Sequence, residues 1–196
     1  MKLPSLILAS ASPRRAQLLQ SAGLEFVVIP AQVTELEPDH LTPHECVQIN
    51  AYRKARSVAK QHPDAVVLGA DTEVSLDRRV FGKPANIEEA QAMLAALQGR
   101  THEVVSGVCL LHLRAHWQRL FVVSTLVTFR PLNAEQIRDY LARTKPLDKA
   151  GAYAIQEEGH LIVEDLDGSF TNVVGLPMAR LLAELTPLSA PEPAQG

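Results

Sequence analysis

The chain has 196 residues, 46% of them hydrophobic and 21% charged, the profile of a globular protein, and no apolar run approaches the ~20 residues that span a bilayer. A formal net charge of -3 works against polyanions and 5% aromatics are too few for a base-stacking platform, so no nucleic acid is expected as a partner, while a small anion needs only a few converging cations. Two isolated cysteines, Cys46 and Cys109, do not make a disulfide framework; with an N-terminus that reads as mature protein and not as a leader, the expected location is cytoplasmic.

Leu6-Ile7-Leu8-Ala9 reads as a buried strand over about residues 5–9. A serine turn follows, and Pro13 stands where a first helical residue fits, because it has no N–H to lose there and its φ is preset. Ser12 is then the natural N-cap of a helix over about 13–22, stopped by Gly23. Arg14 and Arg15 crowd the first turn, where the helix dipole disfavours positive charge. Strand, serine turn and arginines at a helix start together point to an anion site, above all for phosphate. The plain alternative is a pair of solvated arginines and a Ser12 that only caps.

Phe26 to Ile29 is a second strand, and Thr42-Pro43-His44-Glu45 is a capping box that opens a helix to about 61. Ala65 to Asp71 is a strand too apolar to face water on either side. Glu73 to Leu76 and Val80-Phe81 read as a hairpin turning at Asp77-Arg78, and Asn86 starts a helix that ends at Gly99. Glu103 to Leu113 and Leu120 to Phe129 are two long strands, Asn133 caps a helix to about 142, Leu161 to Leu166 is a strand, and Pro177 opens a last helix to about Leu185. The expected architecture is α/β: a mixed twisted sheet with flanking helices in a single compact, bilobed domain over 1–185, followed by a disordered tail over 186–196.

Asp71 is the strongest candidate for chemistry, since it is read as closing an apolar strand, and open α/β sheets bind ligands beyond strand carboxyl ends. A carboxylate there can hold a divalent cation, accept a proton from water, or merely cap a turn. Gly82-Lys83-Pro84 presents a lysine on a tight turn, and Lys54 sits beside Arg53 and Arg56 on a helix whose basic face is read as solvated. The segment 148–156 combines charges, small residues, Tyr153 and the amide of Gln156; the segment 168–177 is a polar-to-apolar turn before the last helix. His112 and His116 fall on a strand end and a turn, not on one helix face, so they are not read as a metal pair.

Together, LILASASPRR, Lys54-Ala55, GADTEV, FGKP, GRTHEVVSGV (99–108), DKAGAYAIQ (148–156) and GSFTNVVGLP (168–177) resemble the Maf family of nucleoside triphosphate pyrophosphatases, the septum-formation-inhibitor-like proteins. The resemblance runs from about Leu6 to Leu185 and implies the Maf/ITPase-like fold. It implies hydrolysis of a nucleoside triphosphate to monophosphate and pyrophosphate with Mg²⁺ or Mn²⁺. Asp71 matches the family's acidic catalytic residue, read as proton acceptor or as metal ligand only. Ser10, Ser12, Arg14, Arg15, Lys54 and Lys83 match its phosphate-binding set, and Glu35 falls on its acidic position after the second strand, a metal contact beside Asp71 or a substrate contact. Arg14, Thr72 and Gln156 match the subgroup that prefers dTTP and UTP over the one that prefers 7-methyl-GTP. Ala154 and Glu157 stand where glycine is usual and Thr34 where an acid is frequent, departures that bear on rate and selectivity. A homodimer is carried over from similar proteins. The alternatives are a 7-methyl-GTP or broad-specificity enzyme, and a non-catalytic nucleotide-sensing regulator of septum formation.

Overall fold

Side chains of a strand alternate between the two faces of its sheet, and three clusters of buried side chains follow that alternation here. The computed structural model describes residues 5–36 and 40–189. In chain order the elements are β1 (Leu6–Leu8), α1 (Pro13–Ser21), β2 (Phe26–Val28), α2 (Pro43–Ala59), β3 (Val66–Leu76), β4 (Arg79–Phe81), α3 (Ile87–Leu97), β5 (Thr101–His112), β6 (Trp117–Phe129), α4 (Ala134–Arg143), β7 (Val163–Asp167), α5 (Phe170–Val174) and α6 (Met178–Ser189). The strands form one sheet of order β2-β1-β3-β5-β6-β7, with β4 paired to β3. β1 runs parallel to β2 and β3, and every other pair is antiparallel, so the sheet is mixed as expected.

Leu8, Leu68 and Leu110 face one way, against Leu19 of α1 and Leu181 of α6. Ile7, Val67 and Cys109 face the other way, against Ala51 and Ala55 of α2. Further along β3, Val74 and Leu76 join Phe81, Leu94, Phe129 and Tyr140 in a second lobe under α3 and α4. A fully buried leucine in such a cluster contributes about 2 kcal/mol. α2 lies unusually close to the sheet: a Cβ at Gly69 of β3 would sit 2.3 Å from the Ala51 carbonyl oxygen, and one at Gly107 of β5 would sit 2.4 Å from that of Val47.

The local signals hold. Thr42 and Asn133 make reciprocal capping boxes with Glu45 and Gln136. Asp77 and Arg78 both adopt positive φ (52° and 69°), the mirror-image turn that matches strand twist in a two-residue hairpin. One expectation is corrected: Asp71 does not close a strand. β3 continues through it to Leu76, because its antiparallel ladder with β5 is unbroken from Val67 to Ser75 while its partner on the other flank changes. The 148–156 segment folds as tight single turns, and α5 is an added short helix. α6 reaches Ser189, beyond the expected end at Leu185. The rest of the expected tail, 190–196, lies outside the described residues.

His102 stands in the second lobe, its ring edge-on to Phe129 at 4.7 Å, with Nε2 2.8 Å from the Tyr153 hydroxyl. Burial pushes the imidazole down to about 4. The unfolded chain therefore takes up this proton first, so the group's contribution is present above its ordinary 6.5 and is lost as pH falls toward 4, by about 3 kcal/mol. Urea unfolding followed from pH 7 to pH 4 should show this slope in the native protein and not in His102→Gln; equal slopes between pH 6.5 and 5 would refute a neutral buried imidazole.

Candidate active site

β1 and β4 pair with the same flank of β3, β1 as far as Leu68 and β4 from Val74. Residues 69–73 are left uncovered on that flank, and a cavity of about 370 Å³ opens there, with a second of about 250 Å³ adjoining it. Alternation turns Asp71 toward α2 and Thr72 toward α1 and α5. The cavity thus lies beside the end of β1 and along the middle of β3, not beyond the end of the strand that carries Asp71.

On the α2 side, the buried Asp71 carboxylate accepts hydrogen bonds from Lys54 Nζ at Oδ1 (2.7 Å) and from Asn50 Nδ2 at Oδ2 (3.0 Å). Lys54 Nζ also pairs with Glu35. Lys54 is buried, so the solvated basic face read for it is corrected: Arg53 and Arg56 flank it, but its ammonium turns into the site, where two carboxylates await it. Partial burial raises the Glu35 carboxyl, but the bond and charge of Lys54, with Lys83 and Arg15, outweigh it and hold Glu35 below the usual range. α2 also grips the loop that carries Glu35, through Asn50 Oδ1 to the Leu36 N–H (2.8 Å), Asn50 Nδ2 to the Leu36 carbonyl (2.9 Å) and Arg53 to the Thr34 carbonyl (2.8 Å). Sequence reasoning missed Asn50. Its signal was an amide one helical turn before Lys54 on the same face.

On the α1 side, Arg15 is buried, and its guanidinium donates to Gly175 O (3.0 Å), Ser10 Oγ (3.1 Å), Ala70 O (2.8 Å) and Thr72 Oγ1 (3.1 Å). Burial lowers its pKa, while Asp71 and Glu35 work the other way. Thr72 Oγ1 lies 2.8 Å from Ser106 Oγ, which in turn lies 3.2 Å from the Asn172 carbonyl oxygen. Ser12 stands at the N-cap of α1, but its side chain makes no capping bond. The hydroxyl and the first N–H groups of the helix therefore stay available at the cavity wall, with Ser10 behind them.

Arg14 pairs with Asp148 (2.9 Å), whose side chain is 58% exposed. Lys149 is buried and bridges Asp148 (2.9 Å) and Glu157 (3.1 Å). Burial raises Asp148, but its bonds to Lys149 and Arg14 prevail and lower it. Lys83 lines both cavities and makes no hydrogen bond or ion pair among the described residues, and the same holds for the side chain of Gln156 in the larger one. Ala154 borders the cavity, whereas Glu157 turns to Lys149. All the predicted site residues border the larger cavity. Val74, Val104, Tyr153 and Val173 add an apolar wall to it.

The donor set suits a hard divalent cation: the Glu35 and Asp71 carboxylates converge on one point, now filled by the Lys54 ammonium. Among the described residues no three His, Cys, Asp or Glu side chains converge as a metal cluster. Two carboxylates with phosphate oxygens and water completing the shell is the pattern of a substrate-borne Mg²⁺. No helix is long and apolar enough to cross a membrane among the described residues.

Fold and site define an α/β protein with a cation-ringed pocket, of a size for a small-molecule ligand, beside a buried carboxylate. The family model described as "Maf-like protein" matches residues 5–188, and the chain belongs to that family. It is 45% identical over 183 residues to the dTTP/UTP pyrophosphatase of Geobacillus sp. (strain WCH70), covering 93% of this chain and 97% of that one. It is 46% identical over 179 residues to the dTTP/UTP pyrophosphatase of Pelotomaculum thermopropionicum, covering 91% and 94%. Among solved structures, a HAM1 protein from Coxiella burnetii shares the fold, with a TM-score of 0.57 at 18% identity over 95% of this chain and 98% of that one.

Proposed function

We propose that this chain hydrolyses dTTP and UTP to the monophosphate and pyrophosphate. The observation that carries the reading is the buried Asp71 carboxylate, set between Lys54 and Asn50 in a cavity bordered by Arg14, Lys83 and the uncapped start of α1. The names of its relatives, dTTP/UTP pyrophosphatases at about 45% identity, support the substrate.

A nucleoside triphosphate is a dense anion, and the site answers it with donors and charge. The hydroxyls of Ser10 and Ser12 and the first N–H groups of α1 receive phosphate oxygens. Arg14 exchanges Asp148 for phosphate, an easy trade because exposed ion pairs are worth about 0–1 kcal/mol. Lys54 and Lys83 add two more charges, and Arg15 acts from behind with its guanidinium fixed by four protein acceptors. Water attacks the α-phosphorus, and Asp71 accepts its proton. The bond from the α-phosphorus to the bridging oxygen breaks, and pyrophosphate leaves held by the cations. Mg²⁺ or Mn²⁺ held by Glu35 and Asp71 would supply further charge neutralisation. Arg14, Thr72 and Gln156 read the nucleoside, the Gln156 amide offering one donor and one acceptor face to a uracil or thymine edge.

Pyrophosphate release from dTTP, UTP, CTP, GTP and 7-methyl-GTP, with Mg²⁺ or Mn²⁺, tests this. Preference for dTTP and UTP is expected. Preference for 7-methyl-GTP would remove Arg14, Thr72 and Gln156 as determinants, and binding without any cleavage would leave a nucleotide sensor.

A further inference from the structure

We propose that Ser106 fixes the direction of the Thr72 hydroxyl, so that Thr72 presents only a hydrogen-bond acceptor to the cavity, and that this polarity admits uracil and thymine and disfavours cytosine. The inference rests on the dTTP/UTP reading and asks what in this chain separates those bases from the third pyrimidine.

Ser106 is fully buried, with Oγ 3.2 Å from the Asn172 carbonyl oxygen and 2.8 Å from Thr72 Oγ1. A carbonyl only accepts, and a serine hydroxyl has one hydrogen. With the Ser106 hydrogen on Asn172, the hydrogen between the two hydroxyls belongs to Thr72. Arg15 Nη2 donates to Thr72 Oγ1 at 3.1 Å and occupies one of its two lone pairs. One lone pair is left for the cavity. The opposite arrangement, with Ser106 donating to Thr72 and the Thr72 hydrogen free, loses the bond from Ser106 to Asn172. The Asn172 carbonyl keeps its other bond, from the Gly175 N–H at 2.9 Å, in both arrangements. The two therefore differ by one hydrogen bond, roughly a tenfold preference.

Thr72 stands where the cavity is walled by Val74, Val104 and Val173. Apolar walls suit the faces of a flat base, and the polar atom between them meets its edge. Uracil and thymine carry an N–H at ring position 3, which Thr72 can accept. Cytosine carries a bare nitrogen there, and two lone pairs would face each other.

The test is the ratio of kcat/KM for UTP to that for CTP in the native protein and in Ser106→Ala, with UMP and CMP affinities measured by calorimetry as a readout free of turnover. In Ser106→Ala the Thr72 hydrogen is released to the cavity, and the ratio should fall about tenfold through a gain on CTP. Ser106→Cys, whose thiol is a weak donor, should fall between, and serves if the alanine variant does not fold. In Thr72→Val the ratio should collapse, and adding Ser106→Ala should then change nothing more. A Ser106 of purely structural importance would slow both substrates in proportion and leave the ratio intact, which overturns the inference alone. Native protein that releases pyrophosphate from neither UTP nor dTTP would overturn the substrate reading and the inference with it.

Discussion

Asp71→Asn should lower pyrophosphate release by about 10²–10⁴-fold, the usual weight of a positioned proton acceptor. An amide cannot take up the proton of the attacking water. It also sits badly among its neighbours. Both carboxylate oxygens face donors, Lys54 Nζ and Asn50 Nδ2, and an Asn at this position can offer an acceptor to only one of them. The other meets donor against donor, and the charge opposite Lys54 falls to that of Glu35, whose side chain is 43% exposed. The variant should therefore stay folded, since the ladder through residue 71 is made by the backbone, but lose about 1–3 kcal/mol. Single-turnover pyrophosphate release, read beside a thermal unfolding curve, separates the two effects. A folded Asp71→Asn protein with native turnover would take Asp71 out of the chemistry.

Gly69→Ala should be severely destabilising. The added Cβ would lie 2.3 Å from the Ala51 oxygen and 2.6 Å from the Ala55 nitrogen, backbone atoms of α2 that have no rotamer to turn to. α2 must lift from the sheet, at about 3 kcal/mol or more. That helix carries Asn50 and Lys54, while Asp71 stays with β3, so the lift pulls the carboxylate's two partners away from it. Misplacement on the order of 1 Å can lower turnover about 10²-fold. A fall in the urea midpoint together with a fall in kcat is expected. Gly82→Ala is the control for stability, because a Cβ there meets nothing within 4 Å. A Gly69→Ala protein as stable as Gly82→Ala would mean that α2 does not rest on the sheet at this point.

What could be read from the sequence was what neighbouring residues decide among themselves. Thr42 with Glu45, Asn133 with Gln136, and the turn at Asp77-Arg78 are contacts within a few positions, and the structure makes them as read. The environment of Lys54 was not legible by periodicity. Its partners lie 19 and 17 positions away, at Glu35 and Asp71, and only the fold brings them to it. The same holds for Asn50, whose partner Asp71 is 21 positions off, and for the hydroxyl chain from Thr72 through Ser106 to Asn172. The break read between Asp71 and Glu73 failed for a related reason: polar residues inside a strand look like a turn until the partner strand that holds them is known. The resemblance supplied the candidate site residues, and the fold supplies the contacts among them.

The gap between β1 and β4 has a second side. A strand with one flank bare presents unmatched carbonyls and N–H groups, the feature by which foreign strands add to a sheet and soluble proteins begin to aggregate. In β3 the last rung to β1 is the bond from the Ala9 N–H to the Leu68 carbonyl, and the next carbonyl on that flank, Ala70 O, accepts from Arg15 at 2.8 Å and faces Lys54 at 3.4 Å. Two buried cations thus stand where this edge has no strand partner, beside the larger cavity. Losing Arg15 would leave the Ala70 carbonyl with only the longer contact to Lys54, the start of an adhesive seam in the middle of the sheet.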